Sequence, residues 1–197
     1  MYDKLNITEN HLQALSLFTE GFDREYYIRE VEKLLKISPR TSQIILSDLE
    51  SMGVLESKTK GKIRAYVIRR NSLSVRYMVL VEHYKAISFL ESHLLVKEVV
   101  EKMLPHINGI GIIFGSYAKG TESKGSDLDI FIAGEYDMEE TKKISKTYGI
   151  EVNIKCYPMK IFEKNFTGDI LIKEVLKNHI IFLNSELLIR TVLKTLT

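Results

Sequence analysis

Two aspartates one residue apart, Asp127 and Asp129, follow a Gly-Ser pair across a polar loop of ten residues. The stretch from Phe114 to Ile132 reads FGSYAKGTESKGSDLDIFI. A glycine lets the backbone approach a ligand closely, and turn N–H groups with a small hydroxyl suit phosphate oxygens. Strand alternation would place both carboxylates on one face, with their Cα atoms about 6.6 Å apart. Mg²⁺ suits such oxygens and also binds substrate phosphates, so this stretch predicts a site for a nucleoside triphosphate and its metal ions.

Two further residues are candidates for the same site. Lys119 would add a positive charge beside the Gly-Ser turn. Glu151 lies in an alternating segment, Ile150 to Ile154, that follows a predicted helix over residues 138–147. Paired beside the aspartate strand, Glu151 could complete a metal triad or act as a general base. The alternatives are that Glu151 is an exposed strand residue, and that the two aspartates form a solvated strand end after an ordinary turn.

At these residues the chain resembles the DNA polymerase β superfamily of nucleotidyltransferases, and most closely its minimal nucleotidyltransferase branch. That family's pattern is an apolar residue, Gly and Gly or Ser, then nine to thirteen residues and two acids separated by one residue. Phe114 to Gly120 (FGSYAKG) and the segment from Asp127 to Ile130 (DLDI) fill it. The similarity runs from about Leu94 to the C-terminus.

The resemblance implies Mg²⁺-dependent transfer of a nucleoside monophosphate from a triphosphate, with ATP as the expected nucleotide. Gly115 and Ser116 would grip the phosphates. Asp127 and Asp129 would hold two metal ions, with Glu151 as the third acid.

Composition indicates an ordinary soluble protein rather than a polycation. The 197 residues are 45% hydrophobic and 27% charged, with a net charge of +2, yet residues 57–76 contain seven Lys or Arg and no acid. The single cysteine, Cys156, excludes an internal disulfide, fits a reducing cytosol and is expected in the core rather than as a nucleophile. No zinc motif is present, and no apolar run reaches about 18 residues. These features predict a cytoplasmic protein without a membrane segment.

The first seventy residues have a pattern of their own. Three helices are predicted, over residues 8–19, 26–35 and 39–52, the third capped by Ser38 with Pro39 at its first position. Two strands follow, over residues 54–56 and 63–69, and flank a basic turn. This order resembles that of winged helix-turn-helix transcription regulators.

The resemblance implies binding to double-stranded DNA, with the third helix in the major groove and the hairpin on the backbone. The residues expected to contact DNA are Arg40, Thr41, Ser42 and Gln43 on the helix and Lys58, Lys60, Lys62 and Arg64 on the hairpin. The alternative is a winged helix used only for protein contact, with a solvated basic turn.

The predicted fold is therefore α/β, of the α+β type. It comprises a winged helix-turn-helix domain over residues 1–70, a linker helix over 71–93, and a nucleotidyltransferase domain over 94–197. The second domain should have a small mixed sheet flanked by helices, with two helices from Asp169 onward. The linker helix could form a dimer seam, and a homodimer is expected.

The sequence predicts a DNA-associated nucleotidyltransferase that modifies a hydroxyl on a protein or an RNA. The chain also resembles stand-alone transferases that partner a small HEPN-type protein, which implies an antitoxin of such a pair. The alternative belongs to another class. It is a winged-helix transcription regulator whose transferase fold senses a nucleotide or is inactive.

Overall fold

The structure is a computed structural model that describes residues 5–61 and 63–195. The chain divides into two compact units, Met1–Val81 and Glu82–Thr197. The division falls within a long helix, α4 (Ser72–Ser92), rather than at either of its ends. None of the helices in the described ranges is long and apolar enough to cross a membrane.

Within its described residues, 5–61 and 63–81, the first unit contains three helices and a small sheet ahead of α4. Its elements are α1 (Glu9–Thr19), β1 (Tyr26–Tyr27), α2 (Ile28–Leu35), α3 (Pro39–Ser51), β2 (Leu55–Lys60) and β3 (Ile63–Ile68). The sheet is antiparallel with the order β1-β3-β2. Its core includes Phe18, Tyr26, Leu46 and Tyr66, each almost fully buried.

Local sequence signals explain most of these boundaries, and two were read wrongly. The Ser38 side chain accepts a hydrogen bond from the Thr41 N–H, and Pro39 opens α3, as predicted. Tyr26 and Tyr27 are extended rather than helical, because they pair with β3. The strand β2 continues through Lys60, so part of the predicted basic turn is strand.

The second unit is built around a four-stranded sheet. After α4 its elements are α5 (Leu94–Met103), β4 (Ile107–Phe114), α6 (Gly115–Lys119), β5 (Leu128–Tyr136), α7 (Met138–Tyr148), β6 (Val152–Tyr157), α8 (Met159–Asn165), α9 (Ile170–Lys177), β7 (Ile180–Leu183) and α10 (Ser185–Thr195). The strand order is β6-β5-β4-β7. Strands β5 and β6 are parallel, whereas β4 is antiparallel to both β5 and β7. The expected combination of helices with small sheets, one of them mixed, is confirmed.

Alternation along β5 sends its side chains to two different layers. Leu128, Ile130 and Ile132 join a buried cluster with Val99 of α5. On the opposite face, the Phe131 ring packs against Phe162 of α8, with 5.8 Å between ring centroids. Both faces of the central strand are therefore covered along most of its length, and Asp129 lies on the Phe131 face where that cover ends.

The C-terminal part departs from the expectation of two helices after Asp169. The four residues of β7 lie between α9 and α10 and pair with β4. A short apolar run such as IIFL reads equally as strand or buried helix from sequence alone. Its position beside β4 is what makes it a strand.

Candidate active site

The two aspartates lie at the start of the central strand β5. Asp127 immediately precedes the strand and Asp129 is its second residue. Strand pairing sets Asp129 opposite Phe114, the last residue of β4, and opposite Asn153 of β6. Alternation places Asp127, Asp129 and Asn153 on one face of the sheet. We call this group, with the neighbouring Glu151, the acidic edge.

Gly115 brings the backbone of the Gly-Ser turn directly against the Asp129 carboxylate. Its φ is +73°, a conformation that L side chains rarely adopt. A Cβ built on Gly115 would overlap Asp129 Oδ2 and lie 3.0 Å from Asp129 Cγ. Glycine is therefore required at this position for two reasons, its backbone conformation and its lack of a side chain. The turn and the carboxylate form one compact unit.

Asn153 is a site residue whose contact the sequence did not reveal. Its side-chain amide Nδ2 donates to Asp129 Oδ1 over 3.1 Å. The alternating pattern of residues 150–154 predicts that Asn153 shares a face with Glu151. It does not predict which strand pairs with this segment or in which register, so the contact with Asp129 could not be found from sequence. This hydrogen bond fixes one Asp129 oxygen and leaves a neutral amide beside the aspartate.

Glu151 immediately precedes the first residue of β6 and is not part of that strand. Its carbonyl oxygen accepts a hydrogen bond from the Leu128 N–H over 2.7 Å, and its side chain is exposed. No group of three His, Cys, Asp or Glu side chains is arranged to hold a metal ion within residues 5–61 and 63–195. The triad with Glu151 therefore stays a prediction.

Asp127 and Asp129 nevertheless fit a magnesium site. Both supply hard carboxylate oxygens on one face, and the absence of a side chain at Gly115 lets the backbone of the Gly-Ser turn lie directly against the Asp129 carboxylate. Proteins usually bind Mg²⁺ through one or two carboxylates plus substrate phosphates. Two aspartates with a phosphate-bearing ligand would therefore suffice.

The remaining residues predicted to contact phosphates lie in the short helix α6. The Ser116 carbonyl accepts from the Thr121 N–H over 3.0 Å, which closes the turn after the helix. Lys119 is exposed, and its Nζ lies 3.6 Å from Glu174 Oε1 of α9. The lysine charge is therefore partly compensated at the position where the sequence placed a phosphate contact.

The loop between α6 and Asp127 is tied to the start of α5 by His93. His93 Nε2 lies 3.1 Å from Glu122 Oε1, and the imidazole stacks on Phe89 with 4.1 Å between centroids. The hydrogen bond from His93 holds the pKa of Glu122 below its ordinary value. Burial raises the pKa of Tyr117, which faces the same imidazole, and Glu122 adds to this shift. A charged Glu122 therefore anchors the loop that leads to Asp127.

Cys156 lies in β6 and is partly buried. Burial raises the pKa of its thiol, with Glu135 adding to the shift. Such a thiol is a poor nucleophile at neutral pH.

A second buried group of ionisable residues lies where α4 meets the residue after α9. Glu82 and the His179 side chain are fully buried, and His179 Nε2 lies 3.3 Å from Glu82 Oε1. Lys85 Nζ lies 3.0 Å from the same oxygen and 3.1 Å from His179 Nε2. His179 Nδ1 is 2.8 Å from the Leu176 carbonyl oxygen, so this nitrogen donates and Nε2 accepts from Lys85. The group links α4 to the end of α9 and is structural.

The predicted DNA-reading helix offers fewer side chains than expected. Arg40 and Gln43 are exposed. Thr41 is half-buried, and its hydroxyl lies 2.8 Å from the Ser38 hydroxyl. The assignment of Ser42 is wrong, because this residue is fully buried and its hydroxyl donates to the Ile28 carbonyl of α2 over 3.0 Å. Ser42 therefore fixes α3 against α2.

The hairpin residues that were predicted to contact DNA also differ in their exposure and in their protein partners. Lys58 is exposed on β2, and the backbone of Lys60 ends that strand. Lys62 lies outside the described residues. Arg64 already has protein partners, since its Nη2 lies 2.8 Å from Glu50 Oε2 and its Nε donates to Ser57 Oγ over 2.8 Å. Arg64 therefore stabilises the hairpin against α3.

Comparison with known proteins shows that part of the second unit is similar to one protein family. Residues 94–183 match the family model of the nucleotidyltransferase domain. The acidic edge and the Gly-Ser turn both lie within the matched residues. No solved structure matches the chain.

One curated relative is also similar. A protein of Methanocaldococcus jannaschii named "Putative protein adenylyltransferase MJ0604" is 35% identical over 57 residues, which cover 27% of this chain. The chain spans 57% of that relative's length.

Proposed function

We propose that this chain transfers a nucleoside monophosphate, from ATP, to a hydroxyl group of a protein. The observation that carries the proposal is the contact between Gly115 and the Asp129 carboxylate in the region that matches the nucleotidyltransferase domain. A backbone turn and a metal-binding carboxylate packed this closely suit a phosphate chain that binds both. The name of the archaeal relative supports a protein as the acceptor.

In the proposed reaction, the acceptor hydroxyl oxygen forms a bond to the α-phosphorus of ATP and loses its proton. The bond between that phosphorus and the bridging oxygen to the β-phosphate breaks, and pyrophosphate leaves. Bound Mg²⁺ would lower the pKa of the acceptor hydroxyl and neutralise the leaving phosphates.

The chain's own residues prepare this chemistry. Asp127 and Asp129 would hold the metal, with Asn153 orienting Asp129 through its hydrogen bond. Gly115 and Ser116 would present backbone N–H groups and a hydroxyl to the phosphates. Glu151, at the neighbouring strand, is the proposed proton acceptor or third ligand. Lys119 would contact phosphate only by leaving Glu174, at a modest cost because both side chains are exposed.

The test is transfer of label from ATP that carries it on the α-phosphate. Wild-type protein with Mg²⁺ should label a protein in a cell lysate and release pyrophosphate. Label that is sensitive to ribonuclease instead of protease would assign an RNA acceptor. A labelled protein encoded beside this chain would support the antitoxin role.

A second function, nucleotide sensing without transfer, is favoured by one observation. The side chain that contacts Asp129 is the neutral amide of Asn153, and the described residues contain no assembled group of three metal ligands. Two carboxylates alone would hold Mg²⁺-ATP without completing a site for transfer. Tight binding of Mg²⁺-ATP without pyrophosphate release, with or without lysate, would support the sensor.

We further propose that the first unit is a winged helix-turn-helix that binds double-stranded DNA. The order of α1, α2 and α3 ahead of an antiparallel hairpin supports this proposal. Arg40 and Gln43 are the exposed residues at the start of α3, and Lys58 is exposed on the hairpin. The function expected of this unit is to bring the transferase, or the sensor, to DNA.

Salt dependence provides the test of DNA binding. Each phosphate contact contributes about 0.9 to the slope of log affinity against log salt concentration. Lys58→Ala should weaken binding to every duplex and flatten the slope by about that amount. Arg64→Ala should change the slope less, because Arg64 is paired with Glu50. Affinity for duplex DNA that does not vary with salt would contradict the proposal.

A further inference from the structure

The strand β6 is an outermost strand of the sheet and carries Asn153 of the acidic edge. It is the terminal strand in the order β6-β5-β4-β7. The Leu128 N–H donates to the Glu151 carbonyl, so the backbone groups of Glu151 face β5. Because backbone groups of a strand point alternately to its two sides, those of Val152, Ile154 and Cys156 face away from the sheet. These outward N–H and carbonyl groups can pair with an added strand.

A cleft of about 280 Å³ lies between this edge and the helix α7. The charged side chains among the described residues that line it are Lys142 and Lys146. Both are exposed and one helical turn apart. Their neighbour Lys143 differs, because it forms an ion pair with Glu140. The cleft therefore presents two cations with no carboxylate in its lining.

The cleft and the acidic edge lie on opposite faces of β6 and meet at Asn153. The backbone of this residue lines the cleft, whereas its side-chain amide lies on the face opposite α7, where it donates to Asp129. Because side chains of an extended chain alternate between the two faces of a sheet, a chain that lies along β6 can direct one residue to the cleft and the next toward the acidic edge. One extended residue advances such a chain by roughly 3.3 Å, so a hydroxyl side chain can be brought to the site by register alone.

We propose that an extended, acidic segment of the acceptor protein binds as an added strand on the outer side of β6. Its carboxylates would pair with Lys142 and Lys146, and a Tyr, Ser or Thr hydroxyl in the segment would reach the acidic edge. This inference rests on the proposed transfer to a protein. Backbone pairing supplies the affinity in such strand addition, and side-chain contacts supply the choice of partner. Here the charge of the cleft selects acidic segments.

Binding of fluorescently labelled peptides to the full-length protein tests this surface without requiring catalysis. Fluorescence anisotropy measures the binding. The probe is a short peptide with one tyrosine flanked by glutamates. The comparison peptides replace glutamate by lysine, or carry N-methyl groups on alternate backbone nitrogens. The glutamate peptide should bind, whereas the lysine peptide and the N-methylated peptide should each bind about tenfold more weakly or not at all.

Charge reversal identifies the site. Lys142→Glu with Lys146→Glu should weaken glutamate-peptide binding about tenfold or more, and replacement of both lysines by Gln should weaken it less. The matched control reverses Lys160 and Lys164, two exposed lysines with the same spacing on α8, and should leave binding unchanged. Thermal unfolding of each variant identifies any that fail to fold, in which case the Gln pair decides.

Three results would overturn the proposal: equal binding of acidic and basic peptides, no effect of N-methylation, or no effect of the lysine changes. Competition by single-stranded RNA that depends on the same lysines would also overturn it, in favour of a nucleic-acid acceptor. Calorimetry with ATP and Mg²⁺ separates this surface from the proposed function. A wild-type protein that binds Mg²⁺-ATP but no acidic peptide refutes only the surface, whereas failure to bind Mg²⁺-ATP refutes the transferase itself.

Discussion

Replacement of Gly115 by Ala tests the construction of the acidic edge directly. The new Cβ would overlap Asp129 Oδ2, so the carboxylate must move and break its 3.1 Å hydrogen bond with Asn153. A left-handed conformation costs an L residue about 1–2 kcal/mol. A hydrogen bond to a charged group contributes about 1.5–3 kcal/mol, with the lower end appropriate for the half-buried Asp129. Gly115→Ala should therefore lower the free energy of unfolding by about 2.5–4 kcal/mol.

Gly149 provides a matched control at the end of α7. Its φ is +65°, close to the +73° of Gly115, but a Cβ there would meet no atom within 4 Å. Gly149→Ala should therefore lower the free energy of unfolding by about 1–2 kcal/mol only. Urea denaturation of both variants measures the difference between them, which isolates the displacement of Asp129.

The same pair of variants separates stability from function. Calorimetry at a temperature where both variants are folded should give a Kd for Mg²⁺-ATP about tenfold or more weaker for Gly115→Ala, and an unchanged Kd for Gly149→Ala. Equal affinities for the two variants would refute the reasoning that the turn and Asp129 act together on the phosphates.

Three other changes probe separate parts of the second unit. Asp127→Asn or Asp129→Asn should abolish Mg²⁺-dependent pyrophosphate release. In urea without metal, Asp127→Asn should leave stability unchanged or slightly raised because a like-charge pair is relieved, whereas Asp129→Asn should cost about 1 kcal/mol because its hydrogen bond with Asn153 loses the charge; a loss above about 3 kcal/mol for either variant would contradict this. Glu82→Ala leaves the Lys85 ammonium without its buried carboxylate partner and should cost about 3–5 kcal/mol in urea denaturation, and a loss below about 1 kcal/mol would show that this ion pair contributes little to stability. The hydrogen bond with His93 lowers the pKa of Glu122 below its ordinary value, so this bond stabilises the fold above the ordinary carboxyl range, and its contribution is lost as the pH falls through the lowered pKa; Glu122→Gln should flatten this acid-side decline in urea midpoints, and an unchanged profile would exclude the contribution of the bond.

The positions of the main site residues followed from local sequence rules. The Gly-Ser pair ends the apolar strand β4, as predicted, and forms the first two residues of the short helix α6. Alternation places Asp127 and Asp129 on one face of a strand. Both rules act over a few residues, so no knowledge of the tertiary structure was required. The turn at Gly149 after α7 was predictable for the same reason, since glycine adopts a positive φ at helix ends without a steric cost.

The residues that were missed depend on contacts between distant segments. Asn153 meets Asp129 because β5 and β6 are parallel and in one register, which no local pattern specifies. Ser42 was predicted to contact DNA from its position near the N-terminus of α3. It is buried because α3 packs on α2. The contact of Arg64 with Glu50 likewise joins two residues that are fourteen positions apart and lie in different elements, β3 and α3.

Measuring the two products of the reaction together tests whether the acidic edge and the Gly-Ser turn perform nucleotidyl transfer. Pyrophosphate release and macromolecular labelling from ATP labelled at the α-phosphate are followed together with Mg²⁺ and lysate, for the wild type and for Asp129→Asn. The wild type should release pyrophosphate in proportion to the label transferred, and the variant should do neither. A wild type that binds Mg²⁺-ATP yet releases no more pyrophosphate than the variant would refute nucleotidyl transfer at this site.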